Sequence, residues 1–179
     1  MNSNVGGRCR ILGTLRSADG EGIVRMEDRF DTQIDDVWSA LTDPRRLTRW
    51  YGEVEGDLRL GGEFHARLPG AGVRTGRVDA CQPPQRLALT MRDPDPQPGQ
   101  PDETVIEVTL SADGDQTSLV VEARGMPLNL LAAYGVGVQL HVERLADHVA
   151  GREPSDTEAR WDELLPAYRD LAANVSKHG

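Results

Sequence analysis

The chain is poor in several things at once. It has two cysteines in 179 residues, Cys9 and Cys81, and one lysine, Lys177. Two cysteines are too few for a structural zinc site, which needs more ligands at tight spacing. Cys81 reads as a small buried hydrophobe. No basic run appears, and 29 acidic residues outweigh 20 basic ones for a formal net charge of −9. Nucleic-acid binding gains its affinity from Lys and Arg placed against phosphates, so nucleic acid is excluded as a partner, and an anionic membrane surface with it. No apolar stretch approaches the ~20 residues of a membrane span, and "MNSNVGGRCRILGTLRS" holds no signal-peptide core. A cytoplasmic location is the resulting expectation. Metal motifs are also missing: "HVERL" puts leucine where HExxH needs a second ligand. His141 and His148 are separated by about 10.5 Å of helix rise, too far for one ion. A G-x-S-x-G elbow and a P-loop are absent, and "GAGVRTG" misses the G-x-G-x-x-G spacing. The expectation is no metal, no cofactor and no assigned catalytic residue.

What is present is an ordered series of strands and helices. Residues 1–9 read as a flexible N-terminus. "RILGTLRSADGEGIVRMEDRF" is a hairpin turning through a Gly-rich stretch, with Val24, Met26 and Phe30 on one face and Asp28 interrupting it at a rim position. In "DDVWSALTDPRRLTRWYG", Asp35 or Asp36 is the expected cap of a short helix carrying Val37, Trp38 and Leu41 inward. Asp43-Pro44 opens a second helix that ends at Gly52. "DLRLGGEFHARL" alternates with Phe64, Ala66 and Leu68 on one side. "VRTGRVDACQ" and "RLALTMR" follow, joined at Pro83-Pro84, and then the proline-rich loop "DPDPQPGQPD". "TVIEVTLSADGDQTSLVVEAR" is a second hairpin with Ile106, Val108, Leu110, Leu119, Val121 and Ala123 inward. A long helix is expected over about 129–151. A C-terminal segment capped by Ser155 or Asp156 follows, in which Pro166 should kink or split the helix. Hairpin, two short helices, antiparallel meander and long helix together make an α+β fold, with helices on one face of the sheet.

The residues "FDTQIDDVWSALTDPRRLTRWYG", "LRLGGEF", "TGRVDACQPPQRLALTM", "DQTSLVVEARGM" and "VGVQLHVERLADHVAG", in that order, resemble the START-like, helix-grip superfamily (SRPBCC). The resemblance is to the branch related to activators of the heat-shock chaperone ATPase. It implies a curved antiparallel sheet wrapped around a long C-terminal helix, with a START-like ligand-binding domain over 10–153. Residues 154–179 would be a helical extension packed on the same domain. Several members hold lipids, hormones or polyketides between sheet and helix. The sequence departs from the branch pattern at Val138, where an aromatic residue is common, and at Ala123, where histidine is common. Both changes are towards smaller side chains.

Two glycines near the start of the long helix, Gly135 and Gly137, cost about 1 kcal/mol each against alanine. On a wheel centred on Val138, Leu131, Tyr134, Val142, Leu145 and Val149 lie within about 40°, and Gly135 and His141 flank them at about 60°. Gly135, at the sheet-facing edge, and Gly137, near the rim, each read either as widening a pocket mouth or as a frayed or kinked helix start or close backbone packing, the second reading being favoured for Gly137. Val136 and Leu140 point away from the sheet, and a helix apolar on two sides is covered on two sides. The C-terminal segment, with Trp161, Leu164, Leu165, Tyr168 and Leu171 at helical spacing, is the expected cover, Trp161 and Leu165 packing near Val136 and Leu140, with a dimer interface as the other candidate.

The expected ligand-binding set is Trp50, Tyr51, Phe64, Val78, Leu89, Val121, Tyr134, Gly135, Val138 and His141, with Gly76, Ala123 and Gly135 keeping the space open. A lone histidine such as His141 is ordinarily a hydrogen-bonded core residue; ligand contact or acid–base work is the alternative. The resemblance carries three functions. The first is non-enzymatic binding or sequestration of a hydrophobic small molecule such as a lipid, polyketide or antibiotic. It extends to self-resistance in an antibiotic producer such as an enediyne maker. The second is a polyketide cyclase-like or hydrolase enzyme using the same cavity. The third is an interaction module resembling chaperone ATPase activators. A monomer or a homodimer fits each.

Overall fold

The computed structural model describes residues 10–177; the expected flexible segment 1–9 lies outside them. Eight strands form one open, curved antiparallel sheet. They are β1 (Gly13–Ala18), β2 (Glu21–Phe30), β3 (Glu53–Gly56), β4 (Glu63–Leu68), β5 (Gly72–Gln82), β6 (Arg86–Arg92), β7 (Glu103–Asp113) and β8 (Gln116–Met126). Their order across the sheet is β1-β2-β8-β7-β6-β5-β4-β3, so the N-terminal hairpin closes onto the last strand. Helices α1 (Ile34–Thr42) and α2 (Pro44–Trp50) connect β2 to β3. The long helix α3 (Leu131–Ala150) and the C-terminal α4 (Thr157–Ser176) follow β8. This is the helix-grip arrangement, and α3 lies within the expected boundaries, ended by Gly151 in the left-handed conformation at φ 68°.

Alternation decides which strand residues face α3. Val24 pairs with Ala123, Ala123 with Ile106, Ile106 with Leu89, and Leu89 with Val78, so one row of side chains crosses five strands. A second row runs Met26, Val121, Val108, Leu87. Leu119, Leu110, Phe30 and Phe64 join them in the core. Asp28 shares the phase of Val24 and Met26, yet its carboxylate receives Arg10 at 2.9 Å, which explains a charge on the inward face at the rim.

Four local readings need correction. The N-cap of α1 is Gln33, with no side-chain cap, and Asp35 and Asp36 lie inside the first turn. Asp36 instead accepts from Thr32 Oγ1 at 2.8 Å and pairs with Arg46 at 2.8 Å, tying α1 to α2. At α2 the expected device is present: Asp43 accepts from the Arg45 N–H at 2.9 Å, with Pro44 at the first helical position. Residues 57–62 are a turn rather than the start of a strand, because Asp57 accepts from the Arg59 N–H at 3.0 Å and Gly61 takes φ +80°. The strand before that turn, β3, was not anticipated. Finally, α4 is one helix through Pro166, capped by Asp156, which accepts from the Ala159 N–H at 2.8 Å.

Helix α4 packs on α3 and β1. The cover of α3's outer face comes from this segment, but the anchors are Leu164 and Tyr168, both fully buried. The expected anchors Trp161 and Leu165 are only partly buried against the core. A polar knot locks the seam: Gln139, fully buried on α3, accepts from the Tyr168 hydroxyl at 2.5 Å and the Leu12 N–H at 3.1 Å. Its amide nitrogen donates to the Arg10 carbonyl at 2.7 Å and to Glu143 at 2.9 Å. Arg160 of α4 adds an ion pair to Glu143 at 2.6 Å.

Candidate functional site

Sheet and α3 do not close on each other completely. Between them lies an inner chamber of about 150 Å³, roofed by α3 and closed at one end by α1 and α2. Among its lining residues only Thr42, Trp50, Tyr51 and His141 carry a hydrogen-bonding side-chain atom. Two of these are already committed: Thr42 Oγ1 donates to the Trp38 carbonyl at 2.8 Å, and Trp50 Nε1 donates to the Ala40 carbonyl at 2.9 Å. The remainder is aliphatic wall plus the Phe64 ring. A second, outer chamber of about 410 Å³ adjoins it, with Tyr51, Ile106, Ala123, Val138 and His141 common to both. Those shared residues form a neck. Beyond it the wall stays mostly apolar but gains polar side chains, among them Arg74, Asp93, Gln100 and Tyr134, and Trp161 of α4 reaches the outer chamber as well.

The expected site residues divide cleanly. Trp50, Tyr51, Phe64, Val78, Leu89, Val121, Val138 and His141 line the inner chamber, and Tyr134 lines the outer one. Gly135 lines neither. A Cβ there would stand 2.5 Å from Tyr168 Cδ1, so this glycine admits the tyrosine ring of α4 and does not widen a mouth. Gly137 is the glycine with open space: a Cβ would meet nothing within 4 Å, and the residue lines the outer chamber. Gly76 likewise holds nothing open, because a side chain there would collide with the Phe64 ring, which lies across β5. Ala123 does line both chambers.

Sequence reasoning missed Arg74 and Asp93, which pair at 3.0 Å in the outer chamber. The signal was there in the alternation. Arg74 is in phase with Gly76 and Val78, and Asp93 continues Leu87, Leu89 and Met91 past the end of β6.

The neck is electrostatically quiet. The Tyr51 and His141 rings are 5.2 Å apart, tilted by 52°, and Trp50 and Tyr51 follow at 5.5 Å. Burial pushes the Tyr51 phenol up to about 12, opposed by the nearby Arg74 cation. Burial holds the His141 imidazole down to about 4, helped by the Arg144 cation. Tyr134 is raised, again by burial first. All three groups are therefore neutral at pH 7. His141 Nδ1 is enclosed and has no hydrogen-bond partner among the described residues. Such a group costs about 1–3 kcal/mol unless something satisfies it. Among the described residues no three His, Cys, Asp or Glu side chains gather as a metal site, and no helix is long and apolar enough to cross a membrane.

Two solved structures place this architecture among known proteins. CalU16 from Micromonospora echinospora is similar at 29% identity over 90% of this chain and 96% of its own, with a TM-score of 0.71 in the crystal. Its solution structure gives 30% identity over 91% and 95%, with a TM-score of 0.69. DynU16, a protein of the dynemicin biosynthetic locus, is 26% identical over 76% of this chain and 49% of its own, with a TM-score of 0.67. No curated protein sequence matches the chain. The sequence match to a family spans the two short helices, the meander and the whole of α3. Residues 31–150 match the family described as Activator of Hsp90 ATPase homolog 1-like protein, and the chain belongs to that START-like family.

Proposed function

We propose that the chain binds a hydrophobic small molecule in this two-chamber cavity and holds it without converting it. The observation that carries the reading is the inner chamber's wall, on which Tyr51 and His141 are the only polar side chains without an internal partner. A chamber of about 150 Å³ is near the size that accepts one benzene-like ring in an apolar protein interior. The outer chamber takes the rest of a larger molecule. Enzymatic use of the same space is less well supported. A general base works best with a pKa near the operating pH, and His141 at about 4 and Tyr51 at about 12 are far from it on opposite sides.

The likeness to a protein of the dynemicin biosynthetic locus supports a finer reading, in which the ligand is antibiotic-like and binding sequesters it from the rest of the cell. Native mass spectrometry of the purified chain tests the first claim, since a retained apolar ligand appears as a mass adduct. Incubating the released ligand with fresh protein tests the second. Recovery of an unchanged ligand supports carriage, and a new product mass overturns it.

A further inference from the structure

We infer that the neck of the cavity recognises a neutral carbonyl oxygen on an aromatic ligand, through His141 Nε2–H and the Tyr51 hydroxyl acting together. The inference rests on the binding function proposed above and names its chemical class. His141 Nδ1 is enclosed by protein with no acceptor beside it. Nδ1 is unpaired in either tautomer, but a buried orphaned N–H is rarer than an under-satisfied acceptor, so the proton belongs on Nε2, which is not among the enclosed unpaired atoms. His141 is then a donor at the neck, and the ring is neutral because burial disfavours a second proton on it. Tyr51 is the adjacent ring at 5.2 Å, and among the described residues its hydroxyl has no partner either. Burial holds that hydroxyl protonated, so it too can donate. His141 Nδ1 is enclosed and out of a ligand's reach, and on the inner wall Thr42 and Trp50 are already bonded to backbone carbonyls, so a ligand oxygen is the partner both donors can share.

The same inventory argues for a neutral acceptor. Among the described residues, the cations on the chamber walls are already paired, Arg74 with Asp93 at 3.0 Å and Arg92 with Glu103, and Arg144, which bears on His141, lines neither chamber. A carboxylate drawn into the neck would lose its hydration and meet no unpaired cation on the wall. A carbonyl conjugated to a ring loses far less, and the ring itself suits an inner wall bearing Trp50 and Phe64. A site built to hydrogen-bond a ligand oxygen rejects the analogue lacking it, because its own donors are then left unpaired.

A matched set of probes reads this directly: 2-acetylnaphthalene, 2-ethylnaphthalene and 2-naphthoate, titrated against the full chain at pH 7.5. The ketone should bind about tenfold tighter than the ethyl compound, and the carboxylate weakest of the three. Tyr51→Phe, which removes one oxygen, and His141→Leu should each shrink the ketone's advantage over the ethyl compound severalfold. The bound ketone's carbonyl stretch should move to lower frequency in the wild type and move back in either variant, a readout independent of affinity. Equal binding of ketone and ethyl compound, or an unshifted carbonyl band, overturns the inference while leaving hydrophobic binding intact. Failure of all three probes together with a hydrophobic dye overturns the binding function itself.

Discussion

Helix α3 has two working faces, and they are built in opposite ways. The face toward the sheet, with Val138, His141, Val142 and Leu145, looks onto unfilled space. The face toward α4, with Gly135, Val136 and Gln139, is buried and tied by hydrogen bonds to two other segments, residues 10–12 and α4. The dense face holds the helix so that the loose face need not. A cavity loses the dispersion contacts its lining atoms would otherwise make, and a protein that keeps one must hold its walls by other means. Here Tyr168 and the Gln139 knot are those means.

The most damaging single change should therefore fall on the dense face, at a residue remote from any ligand. Tyr168→Ala empties the space over Gly135 and removes the hydroxyl from Gln139. Loss of a buried aromatic of this size costs about 3–5 kcal/mol. Denaturant melts should show that loss, whereas a hydrophobic dye should still bind at temperatures where the variant remains folded. A variant as stable as the wild type would mean that α4 merely rests on α3.

The loose face should reveal itself in acid. His141 binds a proton in the unfolded chain below about pH 6.5, while the folded protein keeps it neutral down to about 4. Across that window the unfolded chain holds the extra proton, so stability falls as pH falls, by about 3 kcal/mol in total from this group. The groups that bear on it, Tyr51 as a neutral phenol and Arg144 as a cation, keep their charge states there. His148 is also lowered and contributes in the same direction, so the comparison is with a variant. His141→Leu should flatten the acid limb between pH 6.5 and 4 and leave stability at pH 8 unchanged or raised. An acid limb identical to the wild type's would show that His141 is solvated.

How much of this was legible in the chain follows from the kind of rule each part obeys. Strand alternation and the position of Asp43-Pro44 are local, so the inward rows, the second helix and nine of the ten expected lining residues could be read from residue order alone. The wheel placed Val138 and His141 on the inner face and showed that Val136 needed a cover. It could not say which residue of α4 would arrive opposite Gly135, because that depends on how two helices cross. Hence Trp161 and Leu165 were singled out ahead of Tyr168, and Gly135 was counted in the cavity lining. Arg74 and Asp93 were missed for a different reason. They are charged residues in phase with an apolar face, a pattern that resembles strand ends until the β5–β6 register, which pairs Thr75 with Arg92, brings the next two positions together.

The two glycines of α3 give the finest test of the two faces, because the same substitution should move stability in opposite directions at positions two residues apart. Alanine in place of glycine in a helix interior gains about 0.5–1 kcal/mol through the unfolded chain's lost freedom, provided the methyl has room. At Gly137 it has room, since nothing lies within 4 Å of the new Cβ. Gly137→Ala should therefore raise stability by about that amount, and a methyl on the wall of a chamber of about 410 Å³ should leave ligand affinity nearly unchanged. At Gly135 the methyl would stand 2.5 Å from Tyr168 Cδ1 and 3.3 Å from Leu15 Cδ2, one on α4 and one on β1. The closer of the two cannot swing away freely, because Tyr168 is fully buried and its hydroxyl is held by Gln139. Gly135→Ala should cost about 1–3 kcal/mol despite the helix gain, and Gly135→Leu more, with neither blocking the cavity. Chemical denaturation of the two alanine variants side by side reads the difference without any ligand. If both variants stabilise the protein, α4 moves aside at little cost and the dense face is not what holds α3 over the cavity.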